Sequence, residues 1–258
     1  MKIATWNVNS VRQRTEHLLH YLRDVKPDVL CLQELKCVNA AFPHMEVEAE
    51  GYNAAVHGQK GFNGVAILAK APIEAARGLP GDPGDEQARY IEAVVPNGEG
   101  VVRVASIYLP NGNPPQTEKY ADKLAFMDRL FAHARDLLAL EEPLVLAGDY
   151  NAIPTPRDAA DPAAWVGDAL FLPETRARFR SFLNLGLIDA LRATTDDTSH
   201  YTFWDYQAVA WQRNKGIRID HLLLSPRAAD RLVEVAIDKE MRGEARPSDH
   251  VPVRIELA

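Results

Sequence analysis

Cysteine is nearly absent from this chain of 258 residues: the two present are Cys31, inside an apolar run, and Cys37. So few thiols argue against a disulfide scaffold and fit a reducing compartment. No apolar run is long enough to span a membrane, and Met1-Lys2 through Trp6-Asn7 lacks an apolar leader segment; a soluble, cytoplasmic protein without a membrane partner is expected. Missing too are a Ser/Gly linker, a charge block, a low-complexity tract and a repeat of solenoid period. With 47% of residues hydrophobic, a single domain over residues 1–258, built on a large core, is expected. Net positive charge is also lacking, at −7, which on average speaks against a phosphate-rich partner. Neither G-x-x-x-x-G-K-[ST] nor G-x-S-x-G occurs, and no Cys/His cluster of the zinc kind is present.

What is there is organised around Pro143-Leu-Val-Leu-Ala-Gly-Asp-Tyr-Asn151. Four apolar residues, Leu144 to Ala147, read as a strand covered on both faces, and Gly148 lets the backbone be approached closely where the strand ends. Asp149 and Asn151 are two apart in extended chain, so they point the same way. The stretch is either a strand delivering a carboxylate and an amide to a site or a solvated turn.

The same pattern recurs along the chain. Lys2 to Val8 reads as a strand running into Asn7 and Asn9, after which Ser10 caps a helix carrying Val11, Leu18, Leu19, Leu22 and Val25 until Pro27. Asp28 to Gln33 is a buried strand that ends in Glu34, a carboxylate that must be paired, solvated or bound to a cation. Strand pairs are expected over Tyr52–Val56 with Gly64–Lys70 and over Arg89–Val95 with Val101–Leu109, the last ending in Tyr108 and Asn111. Tyr120, Leu124, Met127, Phe131, Ala134 and Leu138 predict a long amphipathic helix; Lys119 and Lys123 near its start face either a phosphate or solvent. Pro154–Pro173 reads as irregular, and a helix follows to Leu183. Tyr201 to Tyr206 holds four aromatics in six residues, some of which should line a cleft. Arg213, Lys215 and Arg218 form a local basic strip, either a phosphate track or a solvated loop. Ile217–Leu224 and Val251–Leu257 are further strands, bordered by Asp220 and by Asp249-His250.

Asn7, Glu34, Tyr108, Asn111, Asp149, Asn151, Asp220, Asp249 and His250 thus all fall at predicted strand ends. Oxygen donors such as Glu34, Asp149, Asn7, Asn151 and Asp249 suit Mg²⁺ or Mn²⁺. A histidine beside a carboxylate suits proton transfer or a phosphate oxygen. Together they suggest metal-assisted hydrolysis of a phosphate ester.

Trp6-Asn7-Val8-Asn9, Leu32-Gln33-Glu34-Leu35-Lys36, Gly51-Tyr52 with His57-Gly58-Gln59-Lys60, Tyr108-Leu109-Pro110-Asn111-Gly112, Gly148-Asp149-Tyr150-Asn151, Arg218-Ile219-Asp220-His221 and Ser248-Asp249-His250 resemble, collinearly, the exonuclease III type of apurinic/apyrimidinic (AP) endonuclease. The resemblance implies an α/β fold, a four-layer αββα sandwich of two mixed sheets flanked by helices with the site at one end. It implies a monomeric Mg²⁺-dependent DNA repair phosphodiesterase acting on double-stranded DNA, cutting 5′ to abasic sites and removing nucleotides or blocking groups from 3′ ends. Carried over by residue, it makes Glu34, with Asn7, the principal metal holder and Asp249 a further ligand; Asn151 and His250 also lie within reach of the ion. Asp149 positions or deprotonates water, Asn151 orients it and the phosphate, and Asp220 pairs with His250, which donates to a phosphate oxygen. Tyr108 and Asn111 contact developing charge. Two departures stand out. Tyr150 replaces the Met or Phe of many relatives, and Ile217 stands where some carry an aromatic, leaving Phe203 and Trp204 as pocket aromatics. Two rivals are weighed: a small-molecule or lipid phosphatase of the same superfamily, which would share Asn7, Glu34, Asp149, Asn151, Asp220 and His250, and a catalytically dead binding domain on the same fold. Tyr108–Gly112, Tyr201–Tyr206 and the basic strip favour DNA over the first, and the complete acidic and His set disfavours the second.

Overall fold

A computed structural model describes residues 1–98 and 100–258. In chain order its strands are β1 (Lys2–Asn7), β2 (Val29–Gln33), β3 (Asn53–His57), β4 (Val65–Ala69), β5 (Ala75–Arg77), β6 (Tyr90–Asn97), β7 (Gly100–Tyr108), β8 (Leu144–Asp149), β9 (Ile188–Asp189), β10 (Asp220–Leu224), β11 (Leu232–Ile237) and β12 (Val253–Leu257). The helices are α1 (Thr15–Asp24), α2 (His44–Ala49), α3 (Glu118–Leu138), α4 (Pro173–Asn184), α5 (Ala190–Thr194) and α6 (Pro226–Ala229). One six-stranded sheet has the order β11-β12-β1-β2-β4-β3 and the other β5-β6-β7-β8-β10-β9. β1 with β2, and β7 with β8, are parallel; the remaining neighbours are antiparallel.

Alternation along the central strands builds the four layers. In β2, Val29 and Cys31 face the other sheet while Leu30 and Leu32 pack with Leu18 and Leu22 of α1. In β8, Val145 and Ala147 enter the same central core, and Leu144 and Leu146 pack against Met127 and Leu130 of α3 and Phe179 and Phe182 of α4. Residues buried on both faces read as unbroken apolar runs, which is why these strands stand out in the sequence. Each fully buried Leu or Ile contributes about 1.5–3 kcal/mol. One polar seam crosses the apolar interface between the sheets. Gln33 Nε2 donates to Ser106 Oγ (2.9 Å) and to Thr5 Oγ1 (3.1 Å), and Ser106 Oγ donates to Leu32 O (2.9 Å).

Three local expectations change. Ser10 makes no side-chain cap bond; its φ is 85°, and Val11 belongs to a separate 3₁₀ turn ahead of α1. The α3 stripe is rotated: Phe126, Met127, Leu130, Ala134 and Leu137 are buried. Phe131, by contrast, is half-buried and lies 6.4 Å from the ring of Phe182 on α4. Finally, β10 starts at Asp220, not Ile217, which makes only isolated bridges.

Candidate active site

The topology brings the chemistry-bearing residues to one end. Parallel β1 and β2 present their C-termini there, with Asn7 opposite Gln33 and Glu34 following. Parallel β7 and β8 do the same with Tyr108 opposite Asp149. β10 runs the other way, so its first residue, Asp220, lies opposite Asp149. β12 is antiparallel to β1, so the segment before it returns to the same end, where Ser248 Oγ donates to Asn7 O (2.7 Å) and Trp6 Nε1 to His250 O (3.3 Å). Gly148 is required by close approach: a Cβ there would lie 2.0 Å from Ile107 O. Beyond the strand ends the backbone turns left-handed at Asn9, Glu34, Lys36 and Asn151, with φ between 43° and 55°. Such conformations are disfavoured for these residues and are held by their surroundings. Asn151 N–H, for instance, donates to Asp149 Oδ1 at 2.8 Å.

Asn7 joins the two sheets. Its Nδ2 donates to Glu34 Oε1 (2.8 Å) and to Asp149 Oδ2 (2.9 Å), while its Oδ1 accepts from Asn9 N–H (3.0 Å). Asn7 therefore holds both carboxylates in place, while its own oxygen takes the Asn9 N–H. Lys36 Nζ lies 2.9 Å from Glu34 Oε2. Burial alone would raise the Glu34 pKa, but Lys36 and the Asn7 amide overcome it and hold the group ionised, below its ordinary value. Asp149 is the opposite case. Burial, 1% exposed, lifts it to about 7, assisted by Asp220 and opposed by His250, Asn151 N–H and Asn7. A carboxylate placed near neutrality suits a general base.

His250 Nδ1 lies 2.9 Å from Asp220 Oδ2, and its Nε2 is 3.7 Å from Asp149 Oδ2. Burial would depress the imidazole, but the charges of Asp220 and Asp149 win and raise it to about 10. The ring is thus a proton donor at neutral pH. Glu34, Asp149 and His250 each place one atom within 4.8 Å of the others. A protonated imidazole has no lone pair to offer, so the atoms that fit a hard cation are the carboxylate oxygens. Tyr108 is pushed far above a normal phenol by burial and by the charges of Glu34 and Asp149, so it stays protonated, with the Arg89 guanidinium 4.9 Å from its ring centroid. Asn111 Nδ2 donates to Asn151 Oδ1 (3.1 Å), and Asn151 Nδ2 to Leu109 O (2.9 Å).

Other expected site residues lie elsewhere. Lys123 is buried, donating to Asn111 O and Asn151 O at 3.0 and 2.5 Å, so it faces neither phosphate nor solvent. Desolvation draws its ammonium down to about 7. Arg218 is also buried and locked to Asp158 (2.7 Å) and Asp189 (2.8 Å), which removes it from the basic strip. Trp204 is fully buried in a cluster with Tyr201 and Trp211, so it cannot wall an open pocket. Phe203 does reach the site: its ring centroid is 5.0 Å from that of His250. Asp249 lies outside the converging group and accepts from Asn9 Nδ2 (3.0 Å). Lys119, Arg213 and Lys215 are exposed.

The sequence reading missed Lys36, the brace on Glu34, although its position two residues on was a signal. It also missed Arg14, whose guanidinium bonds Asn9 O, Tyr206 Oη (3.2 Å) and Pro247 O (3.2 Å), tying three rim segments. His221, with the Arg218 Nη1 3.0 Å from its Nδ1, belongs to a buried network that no local pattern announces.

Residues 4–250 match the model of the endonuclease/exonuclease/phosphatase family. Exodeoxyribonuclease III of Haemophilus influenzae is 33% identical, with 100% of each chain covered. A solved 3′ phosphatase from Neisseria, bound to a product DNA hairpin, superposes with a TM-score of 0.96 at 38% identity, covering 100% of this chain and 99% of that one. An AP endonuclease from Archaeoglobus fulgidus does so with a TM-score of 0.94 at 35% identity, again over 100% and 99%. The two mixed sheets with their helices are the sandwich that the sequence motifs imply, and the chain belongs to the endonuclease/exonuclease/phosphatase family.

Proposed function

We propose that this chain, a hydrolytic DNA repair nuclease, cuts the phosphodiester 5′ to abasic sites and removes nucleotides or blocking groups from DNA 3′ ends, with Mg²⁺ as its working ion and Mn²⁺ as a substitute. The observation that carries the reading is the buried Asp220–His250–Asp149 line beside Glu34. It sets a protonated donor and a carboxylate near neutrality side by side, the two roles that hydrolysis of a phosphate diester needs. His250 Nε2 donates to a non-bridging phosphate oxygen, and Asp149 takes the proton of the attacking water. Asn151 holds Asp149 through its backbone N–H, and the protonated Tyr108 phenol and Asn111 Nδ2 meet charge as it develops. A divalent cation held by Glu34 would neutralise phosphate charge; Asn7 keeps Glu34 and Asp149 at the spacing that allows it.

Phe203 is the aromatic that supports lesion choice, because it lies against His250. The exposed Lys119, Arg213 and Lys215 support a backbone track on an otherwise acidic protein. The similar chains include proteins described as exodeoxyribonuclease III, 3′ phosphatase and AP endonuclease, which fits this combination of activities. The free, buried Cys31 and Cys37 fit work in the cytoplasm.

The test uses matched duplexes carrying a tetrahydrofuran abasic analogue, a 3′-phosphate or an intact 3′ end, with an inositol phosphate as competitor class. Cleavage of the duplexes is expected in Mg²⁺ and is lost in EDTA. Hydrolysis of the inositol phosphate alone would establish the small-molecule phosphatase instead, and full cutting in excess chelator would end the metal assignment.

A further inference from the structure

Lys123 is unusual for a lysine. Its side chain is fully buried on α3, and no carboxylate lies within ion-pair distance of it among the described residues. Removing an ammonium from water without a paired acid is costly, so such a group is rare unless its hydrogen bonds are put to use. Its two bonds go to backbone carbonyls of two separate segments: Asn111 O, in the loop after β7, and Asn151 O, in the turn after β8. One tetrahedral donor can reach both, which a single amide N–H cannot. Asn151 sits at a left-handed φ of 45°, a conformation that needs outside support. The chain also makes room for the lysine. Gly112, at φ 86°, would place a Cβ 2.6 Å from Lys123 Cδ. The same two residues are joined again above the lysine, where Asn111 Nδ2 donates to Asn151 Oδ1.

We propose that Lys123 is a positioning residue for hydrolysis: from inside the protein its ammonium clamps the Asn111 and Asn151 backbones together, and so fixes Asn151, and through it Asp149, relative to the donors of the Tyr108–Asn111 loop. This rests on the nuclease reading of the site. Lys123 touches neither substrate nor reacting atoms. Its effect is on geometry, and an active-site displacement of about 1 Å can cost about 10²-fold in rate.

The experiment uses the full-length protein with Lys123→Met, which keeps the length of the stem and removes the donor. On a 3′-recessed duplex in saturating Mg²⁺, kcat is expected to fall about 10- to 100-fold with KM changed less than about threefold, since binding surfaces are untouched. A kcat equal to wild type, or a loss carried mainly by KM, overturns the proposal. Side-chain amide signals of Asn111 and Asn151 in ¹⁵N spectra provide a readout independent of activity: they should shift or exchange faster, while backbone amides of β5 and β11 stay in place. Unchanged Asn111 and Asn151 signals also overturn it, whatever the substrate proves to be. Should Lys123→Met not fold, Lys123→Gln, which keeps a neutral donor able to serve one carbonyl, is expected to give a smaller loss of the same kind. An Lys123→Gln enzyme with full kcat and unshifted signals rejects the clamp.

Discussion

The two sheets repeat one wiring and finish it differently. In each, a central parallel pair is joined by a helix, β1-α1-β2 in one and β7-α3-β8 in the other. The chain then visits the far edge, at β3 or β9, before returning to the second strand's flank, at β4 or β10, and two antiparallel strands complete the other side. Yet the first sheet ends in Asn7 and Glu34 and the second in Tyr108 and Asp149. Glu34 remains partly exposed and braced by Lys36, so its carboxylate stays ionised. Asp149 is buried and lifted toward neutrality. The same strand order therefore supplies the platform, and depth below the surface keeps one carboxylate ionised and lifts the other toward neutrality.

The sharpest way to separate the halves is Asp149→Asn. It removes the proposed base of the second sheet and should lower kcat by about 10² to 10⁴ with little effect on duplex affinity, read by single-turnover cleavage and equilibrium binding. Near-normal turnover would erase the distinction between the halves.

A fully buried charge network supports the second half. Arg218 meets Asp158 and Asp189, and Arg192 meets Asp158 at 2.7 Å, whereas β3 and β4 carry no buried ion pair among the described residues. Arg218→Met strands the buried Asp189 carboxylate, leaves Asp158 to Arg192 alone, and should cost about 3–5 kcal/mol in urea unfolding. Burial by itself would raise the Asp158 pKa, but Arg218, with Arg192 and Thr155, reverses this and holds it well below the usual carboxylate range. A depressed pKa stabilises above the unfolded value and is lost as pH falls through the folded one. Wild type should therefore lose stability below about pH 4, and Asp158→Asn should flatten that slope while lowering stability at neutral pH.

On the first sheet, Asn7→Ala should weaken Mn²⁺ binding about 10- to 100-fold, the usual effect of losing a ligand's outer partner, measured by electron paramagnetic resonance of free Mn²⁺. Should Asn7→Ala leave Mn²⁺ affinity intact and slow only catalysis, the cation seat does not belong to that half. The smallest effect is expected outside both. Arg213→Ala or Lys215→Ala should reduce the log–log salt slope of duplex binding by about one unit each, and an unchanged slope for both would make them merely solvated.

Much of this was legible because the central strands are apolar on both faces and end abruptly in Asn, Glu or Asp. Runs such as Leu144–Ala147 declare both their burial and their terminus. The edge strands β5, β9 and β11 escaped notice, being short or exposed along one side and lacking that contrast. Charge and aromaticity misled where burial is decided by distant residues. Arg218 looks like part of a basic strip until Asp158 and Asp189, 60 and 29 residues away, arrive beneath it. Lys123 looks like a solvated helix lysine until the loops after β7 and β8 close over it. Trp204 looks like a pocket wall, but Gly216 lets the chain pass so close that a Cβ would fall 2.6 Å from the indole nitrogen.

The Gln33–Ser106 bond bears on how the two halves keep their distance. Greasy faces tolerate sliding, because the attraction between them has no direction and one apolar neighbour serves nearly as well as the next. A directional bond does not. Gln33 immediately precedes Glu34, and Ser106 lies two residues before Tyr108, so this bond works as a dowel through the sandwich just beneath its working end. The gap between Glu34 and Asp149 is thus gauged in the dry interior by a pair of fully buried side chains. A change at position 106 would leave every reacting group in the sequence and still put the site out of true.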